Sequence, residues 1–150
     1  EHLKEASINY INNVMQEPRQ ELVIDGYKIL LLHGDIDDPY WGKLTPTKTQ
    51  DEKYKDYDYV FSGHIHQPFK IDTFFKADNP IMRNQKRTTF INPGSVGQPR
   101  NQNPCAQYVY IDFATGETHF NAVPYNFEEE QKLFPEEIDK FYSERLKYGI

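Results

Sequence analysis

Apolar and polar residues alternate in short blocks along this chain, and the period of the blocks changes several times. From Glu1 to Gln16, apolar residues recur at Leu3, Ala6, Ile8, Ile11, Val14 and Met15, close to the helical repeat. A helix is expected there, ending before Pro18. "ELVIDGYKILLL" then places extended runs on either side of Asp25-Gly26, a dipeptide favoured in two-residue hairpin turns. "TPTKTQDEKYKDYD" is polar, with Thr45-Pro46 placed to cap and begin a helix that few apolar positions anchor. "YVFSG" reads as a short buried strand. "KIDTFF" and "RTTFIN" can pair across the polar "KADNPIMRNQK", and "AQYVYIDF" with "ETHFNAVPY" form a hairpin around "ATG". A last helix is expected over about Pro135 to Tyr148. Strands outnumber helices without regular alternation, and no repeat or linker separates them. The pattern predicts one α+β unit with a layered sheet core.

Composition narrows the partners. The 150 residues suit one domain, and a formal charge of −6 disfavours non-specific contact with nucleic acid or anionic lipid. A phosphate-bearing substrate then requires a local cation to reverse the field. The single cysteine, Cys105, excludes an internal disulfide and suits a reducing, cytoplasmic compartment. The longest apolar run, "ILLL", is far shorter than the roughly 18 to 20 residues of a membrane helix, and no signal-peptide pattern is visible. The chain opens on "EHLKEAS", without methionine, and reads as the carboxyl-terminal part of something longer.

Three of the five histidines follow strand-like runs: His33 after "KILLL", and His64 and His66 after "YVF". Neutral imidazole offers a lone pair to zinc, manganese, iron or nickel. In an extended segment, residues i and i+2 face the same side about 6.5 Å apart, so His64 and His66 can share one metal or serve two. His2 and His119 need only surface roles. The acidic "DIDD" lacks the glycine and late glutamate of a calcium loop, and reads as a solvated or hydrogen-bonding loop. In "FINPGSVGQPR", Asn92-Pro93-Gly94-Ser95 is a turn. Its amides and the Ser95 hydroxyl either face an anion or simply close the turn, and Arg100 either pairs with phosphate or lies on the surface.

"LLLHGD", "FSGHIHQPF" and "FINPGSVGQPR", in this order, resemble the carboxyl-terminal half of the calcineurin-like metallophosphoesterases, specifically their small single-domain phosphodiesterase branch. The resemblance implies part of a four-layer αββα sandwich carrying a two-metal site, with residues 1–150 forming the carboxyl-terminal portion of one such domain. His33 matches the family's isolated histidine ligand. His64 matches the first histidine of its G-H-x-H motif, and both would bind the second metal. His66 matches the second histidine and would bind the first metal. Arg100 is the candidate substrate contact. The implied reaction is hydrolysis of a small-molecule phosphoester by a metal-bridged hydroxide, with Mn2+ preferred and Zn2+, Fe2+ or Ni2+ suitable.

The family's D-x-H, G-D and G-N-H-[DE] motifs, including the histidine proposed as acid, are absent from these residues. The isolated chain is therefore expected to bind metal weakly and to hydrolyse negligibly. Two alternatives stand beside this reading. One is a non-catalytic scaffold of the same fold, with "DDPYWGKL" and "KYKDYDYVF" as aromatic interfaces. The other is a mononuclear zinc hydrolase built on His33, His64 and His66 alone. "FFKADNPIMRNQK" and "DDPYWGKLTPTKTQ" are the loops expected to shape substrate choice, and a homo-oligomer is compatible with all three readings.

Overall fold

A computed structural model describes residues 4–14 and 17–150. Strands β1 (Arg19–Ile24) and β2 (Tyr27–Leu32) pair antiparallel about Asp25 and Gly26, whose φ angles are 51° and 82°. Two successive left-handed residues make a type I′ turn, whose twist matches that of the strands it joins. The next three strands are β3 (Tyr59–Ser62), β4 (Phe69–Lys76) and β5 (Gln85–Asn92). β3 lies parallel between β2 and β5, and β4 pairs antiparallel with β5, giving the order β1-β2-β3-β5-β4. β6 (Ala106–Asp112) and β7 (Glu117–Val123) form a separate two-stranded sheet.

Side chains of a strand alternate between faces, and here both faces of the central strands are covered. Leu30, Leu32, Val60, Phe75 and Phe90 pack on one face with Leu44, Tyr54 and Tyr57. Ile29, Tyr59 and Ile91 pack on the other, against Val109 and Ile111 of β6 and against Phe113. This is why "ILLL" and "YVF" read as unbroken apolar runs. Fully burying a side chain such as Phe90 contributes about 1.5–3 kcal/mol. The two sheets face each other, and helical turns cover the outer face of the larger one: an α+β fold, and part of a four-layer sandwich.

Helices depart most from the sequence pattern. Helix α1 is Glu5–Val14, with Ile8 and Ile11 exposed, while Leu3, Met15 and Gln16 lie outside the described residues. Instead of a helix from Thr45-Pro46 there are two 3-10 turns, Lys48–Gln50 and Glu52–Tyr54. The extended Asp51 interrupts them, and its carboxylate caps the second turn at the Lys53 amide. Tyr54, Tyr57 and Tyr59 of "KYKDYDYVF" are core residues, not an interface. The last segment divides into α2 (Phe127–Gln131), capped by Asn126, and α3 (Lys140–Tyr148), capped by Asp139. The Asp139 cap explains why α3 starts later than Pro135.

Because β2, β3 and β5 run parallel, Leu32, Ser62 and Asn92 end on one edge of the sheet. The loops holding His33, His64 and Asn92-Ser95 therefore meet. The β4–β5 hairpin turns at the opposite edge, roughly 25 Å away at about 3.3 Å per residue over an eight-residue strand. Residues 77–84, expected to shape substrate choice, are thus remote from the histidines of their own chain.

Candidate metal centre

The exit of β3 is fastened to the exit of β2. The amides of Gly63 and His64 both donate to the His33 carbonyl, at 3.1 and 2.8 Å, and Ser62 Oγ donates to the Gly34 carbonyl at 2.7 Å. These bonds set the His64 ring edge-on to His33, with centroids 5.0 Å apart and planes at 78°. His64 Nδ1 and His33 Nε2 come to 3.0 Å, a hydrogen bond between the N–H of one ring and the lone pair of the other.

His66 behaves differently. The chain is not extended past His64: it turns, with the His66 amide donating to the Gly63 carbonyl at 2.9 Å and His66 at φ 56°. The extended geometry that the i, i+2 spacing predicts is therefore not adopted, and the ring sends Nδ1 to the Gln98 carbonyl at 2.7 Å. A carbonyl only accepts, so Nδ1 carries the proton and Nε2 is left as the lone pair, the usual arrangement of a metal-binding imidazole. A left-handed non-glycine residue is strained, and here several bonds hold it, including the Arg100 amide to the His66 carbonyl at 3.2 Å. Gln98 had no signal in the sequence, because its main chain rather than its side chain does this work.

Burial is the main influence lowering the pKa of His64, followed by the charges of His33 and Arg100. For His66 burial again dominates; the Gln98 bond opposes it and Arg100 reinforces it. Both shifts favour the neutral ring, the form that ligates cations. Arg100 is thus close enough to act electrostatically on both histidines, and its Nε is buried without a hydrogen-bond partner among the described residues. Trp41, 76% exposed, presents its ring edge-on to His64 at 6.1 Å. The loop before β3 does therefore border the centre.

The acidic loop is wound around Asp35, which is 1% exposed. Asp35 Oδ1 accepts from the amides of Asp37 (3.0 Å) and Asp38 (2.8 Å), and Lys48 pairs with Oδ2. Burial alone would raise the Asp35 pKa; the Lys48 ammonium and the two amides outweigh it and leave the pKa below the usual value. Asp38 in turn accepts from the amides of Tyr40 and Trp41. "DIDD" is a hydrogen-bonding loop that places Trp41. The Asn92–Ser95 turn also closes on itself: Asn92 Oδ1 accepts from the Gly94 amide at 2.9 Å, and Ser95 Oγ from the Gln98 amide at 2.9 Å. The Ser95 hydroxyl oxygen supports the loop that holds His66.

Among the described residues, no group of three or more His, Cys, Asp or Glu side chains converges as a cation site. His33 and His64 meet, and His66 offers Nε2 separately. The donors nevertheless suit a divalent cation. Two ligand nitrogens each about 2.1 Å from one ion, at a right angle, lie about 3.0 Å apart, close to the separation found here.

The sequence of residues 5–116 matches the model of the calcineurin-like phosphoesterase superfamily domain. The chain belongs to that superfamily. A metallophosphoesterase from Sphaerobacter thermophilus superposes over 99% of this chain and 64% of its own, with a TM-score of 0.73 and 23% identity. A hypothetical protein from Pyrococcus horikoshii OT3 superposes over 95% of this chain and 54% of its own, with a TM-score of 0.64 and 21% identity. An uncharacterised protein of Methanocaldococcus jannaschii is 28% identical over 131 residues, 84% of this chain and 54% of that protein. The chain thus spans between half and two thirds of the length of these relatives. Among the described residues, no helix is long and apolar enough to cross a membrane.

Proposed function

We propose that this chain carries the histidine side of a divalent-metal centre for phosphoester hydrolysis, with His33 and His64 holding one cation and His66 Nε2 a second. The observation that carries the reading is the 3.0 Å approach of His33 Nε2 and His64 Nδ1 at the ends of two parallel strands. Bound cations, Mn2+ preferred and Zn2+, Fe2+ or Ni2+ also suited to imidazole, would acidify water and absorb charge on the phosphoryl oxygens. The residues present do the positioning. Gln98 fixes the His66 tautomer, burial favours the neutral form of both rings, and the Arg100 guanidinium is the group to pair with a phosphoryl oxygen. Trp41 offers a face for the leaving group of a phosphodiester. A small-molecule phosphodiester in the cytoplasm is the substrate class these features suit.

The separate orientation of His66 supports a two-cation centre over three histidines on one zinc. The remaining ligands of such a centre lie outside the motifs of these 150 residues, so the isolated chain should hydrolyse negligibly. The test is hydrolysis of bis-p-nitrophenyl phosphate with Mn2+, using the protein extended to the length of its relatives. His64→Asn should lower kcat/KM by about 100-fold or more, on the scale of a lost catalytic cation, and Arg100→Ala should raise KM. Unchanged Mn2+-dependent turnover in His64→Asn would sink the proposal.

A further inference from the structure

The β4–β5 tip is a rigid projection at the edge of the sheet remote from the histidines. Asn79 accepts from the Met82 amide through its side chain, the Asn84 amide donates to the Asn79 carbonyl at 2.7 Å, and Ala77 donates to Asn84 at 2.9 Å. Arg83 and Asn84 take left-handed φ angles of 55° and 58°, strained for residues other than glycine. This ordered turn holds Ile81 95% exposed with Met82 beside it. The tip is also locally basic: residues 76–87 carry Lys76, Arg83, Lys86 and Arg87 against Asp78, in a chain of net charge −6, with Lys86 paired to Asp58 at 3.6 Å.

A surface of the opposite character lies near the histidine edge. Leu133, Phe134, Pro135, Ile138 and Tyr142 line an open apolar groove of about 520 Å³ between α2 and α3. Gln98, whose carbonyl holds His66, borders it. Residues 127–139 around it carry six carboxylates and one lysine. One surface is a convex apolar knob ringed by cations, and the other a concave apolar groove ringed by carboxylates. Within one molecule they cannot meet, because the length of the sheet separates them.

We propose that the β4–β5 tip of one copy of this chain docks into the α2–α3 groove of a second copy, with Ile81 seated among Leu133, Phe134 and Ile138. Arg83 and Arg87 then face the Glu128–Glu130 and Glu136–Glu137 carboxylates. Such a contact is heterologous, so it propagates into a ring or an open chain rather than stopping at a two-fold dimer. It also places the tip of one copy against the segment that orients His66 in the next. The pairing is electrostatic at its rim, so it weakens with salt as the screening length falls below about 5 Å.

The test is sedimentation velocity and light scattering on the purified protein extended to the length of its relatives, in low salt and again in about 0.5 M salt as set by the screening length. Self-association is expected, with its dissociation constant rising at least tenfold in high salt and in either Ile81→Asp or Leu133→Asp. Both side chains are mostly exposed, so neither substitution should lower the melting temperature. Mixing the two variants should restore one intact contact and yield a pair of twice the chain mass and nothing larger. A protein that stays monomeric at every concentration in low salt overturns the proposal. So does association that survives both substitutions, or a mixture that fails to pair, which would assign the groove to a different occupant.

Discussion

Replacing Asp35 by alanine should loosen the loop that links the candidate centre to the core. The substitution strips two amides of a charged acceptor, at 3.0 and 2.8 Å, and leaves Lys48 without its partner. Each lost charge-assisted bond costs about 1.5 kcal/mol, and the Lys48 pair about 0.5 kcal/mol because its ammonium is half exposed. The total is about 3.5 kcal/mol, or a fall in Tm of about 10 °C for a chain of this size. Asp35→Asn keeps an acceptor oxygen and should lose about half as much. Sign follows from linkage: the folded pKa of Asp35 lies below its unfolded value, near 4, so the stabilisation is complete above that value. It is lost as pH falls through the folded pKa, and in Asp35→Asn the stability curve should flatten on the acid side. Thermal melts from pH 3 to pH 7 read both effects. A Tm change under about 2 °C for alanine, with the acid slope intact, would refute the assignment of Asp35 as the centre of this loop.

Other consequences follow from the same contacts. Trp41 is the single tryptophan of the chain and lies edge-on to His64, so Mn2+ or Ni2+ bound there should quench its fluorescence. His33→Asn or His64→Asn should weaken that quenching at least tenfold in affinity, and the chelator EDTA should reverse it. Gly94 and Gly26 both have positive φ, 88° and 82°, but a β-carbon at Gly94 would run into the Gln107 side chain while one at Gly26 meets open space. Gly26→Ala should therefore cost about 1 kcal/mol and Gly94→Ala about 3 kcal/mol, compared by chemical denaturation. Tyr57 donates to Glu21 at 2.7 Å and accepts from Arg19 at 3.0 Å, and its hydrogen bond is the main cause of the lowered Glu21 pKa. Tyr57→Phe should move that pKa back up in an NMR titration. Because Glu21 stabilises the fold only above its unfolded pKa, the variant should lose stability at pH 7 while differing little below about pH 3.

Much of the architecture was legible in the chain because its determinants are local. Asp25-Gly26 carries the backbone freedom of its turn, and the polar stretch between "KIDTFF" and "RTTFIN" marks a hairpin whichever fold surrounds it. The three motifs also named the superfamily. Helices were harder to read, since their bounds depend on caps. Asp139 and Asp51 each act through one side-chain bond to a main-chain amide, and no periodicity records it. The candidate centre was legible only as a list of histidines. Their arrangement required the parallel pairing of β2 with β3, a non-local contact that delivers His33 to His64 and carries the residues 77–84 tip to the opposite edge. Spacing alone would have put His64 and His66 side by side. A left-handed turn at His66 replaces that extended geometry, held by main-chain bonds to Gly63 and Arg100 and by the ring bond to the Gln98 carbonyl. Sequence by itself determined the ligand types and the hairpins; tertiary structure decided which nitrogens meet, because that depends on strand order and on carbonyls that no side chain reveals.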